Sequence, residues 1–259
     1  MKWDAEKYLR FEKQRTQPSR DLAARISDTE AKRVLDVGCG PGNSTAVLQE
    51  TFPAAAVTGC DFSEEMLEKA RATYGDRMEF LRCDASCELP QLGRGWDVVF
   101  SNACIQWLPD HRKVLSDMMS LLRPGGALAV QIPYNFSEPI HTVICERAAQ
   151  PEWQAKLGGE VRSYGMLTTA EYCAILQQLT TDWEVWLTSY MHILPSYEAI
   201  LDWYRGTGLR PYLALLDEAD GQRFEQEVLE GIKKGYTQLP DGSVLFPFPR
   251  LFLLAHRTT

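Results

Sequence analysis

No stretch of the 259-residue sequence approaches the ~20 apolar residues of a membrane span, and the opening Met1-Lys2-Trp3-Asp4-Ala5-Glu6 carries no apolar signal core. From both absences a soluble, cytoplasmic protein with no membrane partner is expected. Surplus positive charge is missing as well. The formal net charge is -8, so nothing draws the chain generally to phosphate backbones, and nucleic acid is not expected as a partner. An acidic chain that binds a small anion must therefore concentrate its arginines locally. The seven cysteines (39, 60, 83, 87, 104, 145 and 173) are odd in number and form no Cys-x-x-Cys pair. They read as reduced packing residues, with neither a zinc site nor a disulfide framework. Internal repeats and low-complexity tracts are also lacking.

What the sequence does contain is a series of short apolar runs alternating with longer helical patterns. The runs are Arg33–Val37, Ala56–Cys60, Met78–Arg82, Asp97–Ser101 and Ala127–Gln131. Such alternation is the signature of parallel strands covered by helices, and predicts a Rossmann-like, doubly wound, mostly parallel α/β sheet. After Pro133 the pattern changes to helical segments at about 138–180 and 197–236, separated by a strand-like run from Trp183 to Tyr190. A last apolar run, Arg250 to Ala255, reads as a closing edge strand. The expected organisation is a helical arm over residues 1–30, a binding core over 31–135, and a helical cap over 136–259 interleaved with the last strands. Ligands of open α/β sheets sit at the carboxyl ends of the strands, where this cap is expected.

Chemistry-bearing residues recur at those strand ends. Asp36-Val37-Gly38-Cys39-Gly40-Pro41-Gly42-Asn43 ends the first strand and opens a helix, and its glycines let backbone approach a ligand closely. A Gly-x-Gly turn alone is equally a feature of NAD enzymes. Here the third glycine comes early, Pro41 intervenes, and Asp36 stands two residues before the first glycine. A carboxylate there suits a ligand ammonium better than a pyrophosphate. Asp61 ends the second strand at the distance where an acidic residue accepts ribose hydroxyls, and also where an ordinary helix N-cap stands. Asp84-Ala85 ends the third strand, Asn102-Ala103 the fourth, and Leu122-Arg123-Pro124-Gly125-Gly126 reads as the turn into the fifth.

This order of motifs over roughly residues 30–135 resembles the class I S-adenosylmethionine-dependent methyltransferases. The resemblance implies that S-adenosylmethionine binds at Asp36, Gly38, Cys39, Gly40 and Asn43, and at Asp61, Phe62 and Met66. It further implies contacts from Asp84, Ala85, Asn102, Ala103 and Trp107, with S-adenosylhomocysteine as the product. The flanks extend the likeness. Tyr8-Leu9-x-Phe11 and Arg15 precede the glycine turn, and Ser101 to His111 is followed by Gln131-x-Pro133-x-Asn135 and His141. Near the end of the chain stand Trp186-x-Thr188-x-Tyr190-x-His192, Trp203 to Pro211 and Phe246 to Phe252. Together these are similar to the trans-aconitate 2-methyltransferase family across nearly the whole chain, which implies methyl transfer to a carboxylate of a small tricarboxylate.

Such a substrate needs several donors, and arginine pairs with carboxylates in a bidentate fork. The expected substrate contacts are Tyr8, Arg15, His141, Tyr190, Trp203, Arg205, Arg210 and Arg250. Several of the residues in these segments have a plainer reading. Arg205 and Arg210 equally suit solvated helix ends, Trp203 suits plain core packing, and His192, alternating with Tyr190, suits a satisfied core position. An ionised carboxylate needs no general base, so no catalytic acid, base or metal is expected. The protein is expected to act as a monomer or weak oligomer. Rival readings are methylation of another small acid or of a malonyl group on a carrier protein, a non-catalytic S-adenosylmethionine-binding regulator, and an NAD-dependent oxidoreductase.

Overall fold

Every run expected to be a strand is one. The computed structural model describes residues 12–159 and 166–258, with side chains from residue 16 onward. Strands β1 (Arg33–Val37), β2 (Ala56–Asp61), β3 (Glu79–Arg82), β4 (Trp96–Asn102) and β5 (Leu122–Pro133) pair in parallel, side by side in the order β3-β2-β1-β4-β5. Two further strands, β6 (Asp182–Leu194) and β7 (Val244–His256), extend the sheet as β5-β7-β6. Helices α1 (Glu12–Arg25), α2 (Asn43–Thr51), α3 (Glu64–Tyr74) and α4 (His111–Leu121) alternate with the first strands. The 136–259 stretch contributes α5 (Pro139–Ala148), α6 (Pro151–Lys156), α7 (Thr169–Leu179), α8 (Tyr197–Arg205), α9 (Arg210–Leu213) and α10 (Glu218–Gly235).

The last apolar run differs from the closing edge strand expected of it. β7 lies inside the sheet, antiparallel to β5, with Gln131 opposite Phe252 and Pro133 opposite Arg250. The physical reason is legible in its burial. Residues 250–255 are buried without alternation, as in a strand covered on both faces, whereas β6 alternates between half-buried and exposed positions as an edge strand does. The Leu122–Gly126 segment also differs from expectation. It already belongs to β5, with Leu122 opposite Trp96 and a register irregularity before Val98. Gly126 permits this, because a Cβ there would meet the Trp96 carbonyl oxygen at 2.9 Å.

The described residues fall into two compact units. A sheet unit comprises residues 13–133, 166–188 and 250–258; a helical unit comprises 134–159 and 189–249. Within the sheet unit, the His111 and Tyr172 side chains bond at 2.6 Å and tie α4 to α7. The helical unit has its own core, in which Trp153 meets Phe224 edge-on at 5.0 Å while its indole N–H donates to Glu227 at 2.9 Å. Among the described residues no helix is long and apolar enough to cross a membrane.

Candidate active site

The carboxyl ends of β1, β2, β3 and β4 bring the expected cofactor residues together in the sheet unit. The glycine turn after β1 is held from beneath: the Gly38 and Cys39 amides both donate to the Cys60 carbonyl, at 2.8 and 3.0 Å. Gly38 has φ 74°, and a Cβ there would collide with the Cys104 side chain, so only glycine fits. Asp61 is the turn's other anchor. One of its carboxylate oxygens accepts from the Gly40 amide at 2.9 Å and the other from the Ser63 amide at 2.8 Å. Ser63 in turn caps α3, accepting from the Met66 amide. A carboxylate has about four lone-pair directions, so Asp61 keeps acceptor capacity for a pair of hydroxyls.

Asp36 is fully buried rather than presented at the surface. Its Oδ2 accepts from the Ser44 and Thr45 hydroxyls at 2.6 and 2.7 Å, which fastens the first turn of α2 to β1. Burial pushes its carboxyl up to about 6, with the charge of Asp61 adding to the rise and the two hydroxyls opposing it. Oδ1 has no hydrogen-bond partner among the described residues. Asp84 accepts from the Ser86 amide and hydroxyl, at 2.9 and 2.6 Å, which holds its carboxyl below the ordinary value. Ala85 is buried beside it, whereas Phe62 is 63% and Trp107 is 55% exposed. The Arg82 guanidinium lies over the Phe62 ring, 5.2 Å from its centroid.

After β4 the chain turns through Ala103 at φ 54°, the one non-glycine residue with positive φ among those described. Such a conformation costs about 1–3 kcal/mol and is kept where surrounding contacts impose it. Here the Ala103 amide donates to the Gln131 carbonyl at 2.9 Å, and the Gln106 side chain donates to the Ala103 carbonyl at 2.6 Å. The turn leaves buried hydrogen-bonding capacity unused. Asn102 Oδ1 and both amide atoms of Gln131 have no partner among the described residues. An unsatisfied buried group costs about 1–3 kcal/mol, so these atoms hold hydrogen-bonding capacity that the fold itself does not use.

The expected substrate contacts separate into groups. Tyr8 and the side chain of Arg15 lie outside the described residues. Arg250 belongs to the sheet unit and is buried, on β7 opposite Pro133. His141, Tyr190, Trp203, Arg205 and Arg210 belong to the helical unit. There the Asn135 side chain donates to Tyr204 Oη at 2.7 Å, and Tyr204 Oη meets His141 Nε2 at 3.1 Å. Trp203 is buried, stacked on His192 at 5.3 Å and packed near Phe248 at 5.7 Å. Tyr190 is half-buried on β6, and Arg210 is exposed at the start of α9. Arg205 departs from its expected role, since its fork is taken: Nε and Nη2 pair with Glu225 at 2.6 and 3.0 Å, and Nη1 pairs with Asp202. Tyr204 and Gln131 stand in the motifs that carry the family resemblance, but sequence reasoning assigned neither of them a role in the site. The available signal for Gln131 was an amide standing inside the apolar run from Ala127 to Ile132.

Comparison with known proteins fits this geometry. A family model described as "Methyltransferase domain" matches residues 34–126. A trans-aconitate 2-methyltransferase of Azoarcus sp. (strain BH72) is 41% identical over 255 residues, covering 98% of this chain and 99% of that protein. The chain belongs to the trans-aconitate 2-methyltransferase family. A second member, from Escherichia coli O157:H7, is 38% identical and covers 99% of this chain and 98% of its own length. Solved structures support the fold of the family member described here. YcgJ of Bacillus subtilis aligns over 93% of this chain and 99% of its own, with a TM-score of 0.61 at 17% identity. Haemonchus contortus phosphoethanolamine N-methyltransferase 2 aligns over 92% of this chain and 53% of its own, with a TM-score of 0.53 at 18% identity.

Proposed function

We propose that this protein catalyses transfer of a methyl group from S-adenosylmethionine to one carboxylate of trans-aconitate, giving the monomethyl ester and S-adenosylhomocysteine. The observation that carries the reading is the full-length likeness to the family, reinforced by a site whose donor set suits this cofactor. The unpartnered Asp36 Oδ1 suits a ligand ammonium, and the open acceptor capacity of Asp61 suits two ribose hydroxyls. The exposed face of Phe62 suits a purine, and the Gly38 turn admits a close backbone approach. In this reading Cys39, Gly40, Asn43, Met66, Asp84, Ala85, Asn102, Ala103 and Trp107 complete the cofactor site. Arg250 meets a substrate carboxylate, and His141, Tyr190 and Trp203 govern substrate selectivity.

When bound, S-adenosylmethionine supplies an electrophilic methyl carried on a sulfonium. The chain's own residues need only present a carboxylate oxygen in line with that methyl and keep water out, because the acceptor is already ionised at neutral pH. Alignment of two bound reactants contributes about 7–11 kcal/mol, enough for an unactivated oxygen. The reading includes a free small acid as substrate, a cytoplasmic setting, a monomer or weak oligomer, and neither nucleic acid nor membrane as partner; the net charge of -8 supports the exclusion of nucleic acid. The test is mass spectrometry of the products formed from S-adenosylmethionine with trans-aconitate, cis-aconitate, citrate and isocitrate. A singly methylated ester from trans-aconitate is expected in preference to the others. Transfer only to a carrier-bound acid, or to none of the four, would overturn the reading.

A further inference from the structure

We propose that Gln131 is a substrate-binding residue whose side-chain amide donates to the acceptor carboxylate, completing a polar row with Asn102 and Arg250; the assignment rests on the carboxyl-methylating function proposed above. Strand register carries the argument. Asn102 is the register partner of Gln131 across β4 and β5, Gln131 is opposite Phe252 across β5 and β7, and Pro133 is opposite Arg250. Register partners on neighbouring strands project to the same face of a sheet, and so do residues two apart along one strand. Asn102, Gln131, Phe252 and Arg250 therefore share one face at the carboxyl ends of β4 and β5. Behind them Trp186 stacks on Phe252 at 5.0 Å with an interplanar angle of 5°, a rigid apolar wall.

Within this row Gln131 is anomalous. It is 0% exposed, and neither Oε1 nor Nε2 has a hydrogen-bond partner among the described residues. On the same face its register partner Phe252 and, two residues back along the strand, Ala129 are buried and apolar, so a hydrocarbon at this position would match those neighbours. A buried amide kept without a protein partner is explained by a guest that satisfies it. The amide is suited to this guest in two ways. Nε2 offers a donor to an anionic oxygen, whereas a glutamate of the same shape would repel it. Being neutral, the amide also holds that oxygen without forming an ion pair tight enough to quench its nucleophilicity, leaving Arg250 to neutralise the charge of the trianion.

The experiment compares the parent enzyme with Gln131→Met and Gln131→Glu by steady-state kinetics on trans-aconitate, S-adenosylhomocysteine calorimetry and thermal unfolding of the ligand-free proteins. For Gln131→Met we expect kcat/KM for trans-aconitate to fall about 10- to 100-fold, as for a lost hydrogen bond to a charged group, with S-adenosylhomocysteine affinity within twofold of the parent. The melting temperature of the ligand-free variant should equal or exceed that of the parent, because an unsatisfied amide has been removed. Gln131→Glu should lose more activity than Gln131→Met. A Gln131→Met enzyme with unchanged kcat/KM overturns the proposal, and so does a fall in melting temperature matching the fall in activity, which would make Gln131 a structural residue. Failure of the parent itself to methylate trans-aconitate would instead strike the proposed function.

Discussion

Asp36 is anchored by two hydroxyls yet is raised to about 6, chiefly by burial, because those bonds only partly replace the water it has lost. Between about pH 4 and 6 the folded protein retains a proton that the unfolded chain has released. Stability is therefore lost as pH rises through that window, the reverse of a salt-bridged carboxylate. Asp36→Asn has no such proton and keeps an oxygen for Ser44 and Thr45. Its unfolding free energy relative to the parent should grow from pH 4 to 6 and level off above, reaching at most about 3 kcal/mol at about 1.4 kcal/mol per pH unit. Chemical denaturation at pH 4, 5, 6 and 8 checks this, and a difference independent of pH would show that Asp36 is ionised throughout. None of this was legible from Asp36 as a letter in a motif. The motif reported that an acid stands before the glycine turn, but not that Ser44 and Thr45, eight and nine residues on, curl back to bind it.

The elements were more legible than the contacts between them. Each parallel strand was readable because short apolar runs separated by helical periods have few other structural solutions. The place of β7 inside the sheet was not readable as an edge, although its unbroken burial from Arg250 to Ala255 is what a doubly covered strand requires. The pairing of Arg205 was only half legible: Asp202 stands one helical turn away, but Glu225 lies twenty residues on, in α10, beyond any local pattern. The glycine turn, by contrast, makes a sharp forecast. Gly38 and Gly40 both have positive φ, but a Cβ on Gly38 would strike Cys104 while one on Gly40 meets nothing within 4 Å. Gly40→Ala should thus cost only the left-handed strain of about 1–3 kcal/mol. Gly38→Ala adds a steric clash inside the turn and should lose measurable S-adenosylhomocysteine binding. Parallel calorimetry and melting curves decide it; equal behaviour of the two variants would mean that the turn relaxes around Cys104.

For the molecule as a whole, an acidic chain handling a tricarboxylate relies on ionised groups for binding rather than for proton transfer. The two thiols at the glycine turn are out of range as bases. Burial pushes the Cys104 thiol up to about 12 and the Cys39 thiol well above its ordinary value, so both stay protonated at neutral pH. The acceptor carboxylate needs no deprotonation, since its own pKa lies far below 7. Turnover at saturating substrate should therefore show no limb from an essential base between pH 6 and 9. Among the expected substrate contacts His141 is the one whose side chain titrates nearest neutral pH in general, and it is buried in the helical unit with its Nε2 against Tyr204 Oη. A histidine acting as base would make turnover fall below the ordinary histidine range of about pH 6–7, and His141→Gln would abolish chemistry while leaving binding intact. A histidine that only orients carboxylates gives the opposite pattern: His141→Gln keeps measurable turnover and loses affinity, so KM rises while kcat changes little. Single-turnover rates for the parent and His141→Gln across pH 6 to 9 separate the two. We expect flat profiles for both, and a steep acid limb present in the parent but absent from the variant would replace alignment alone with base catalysis.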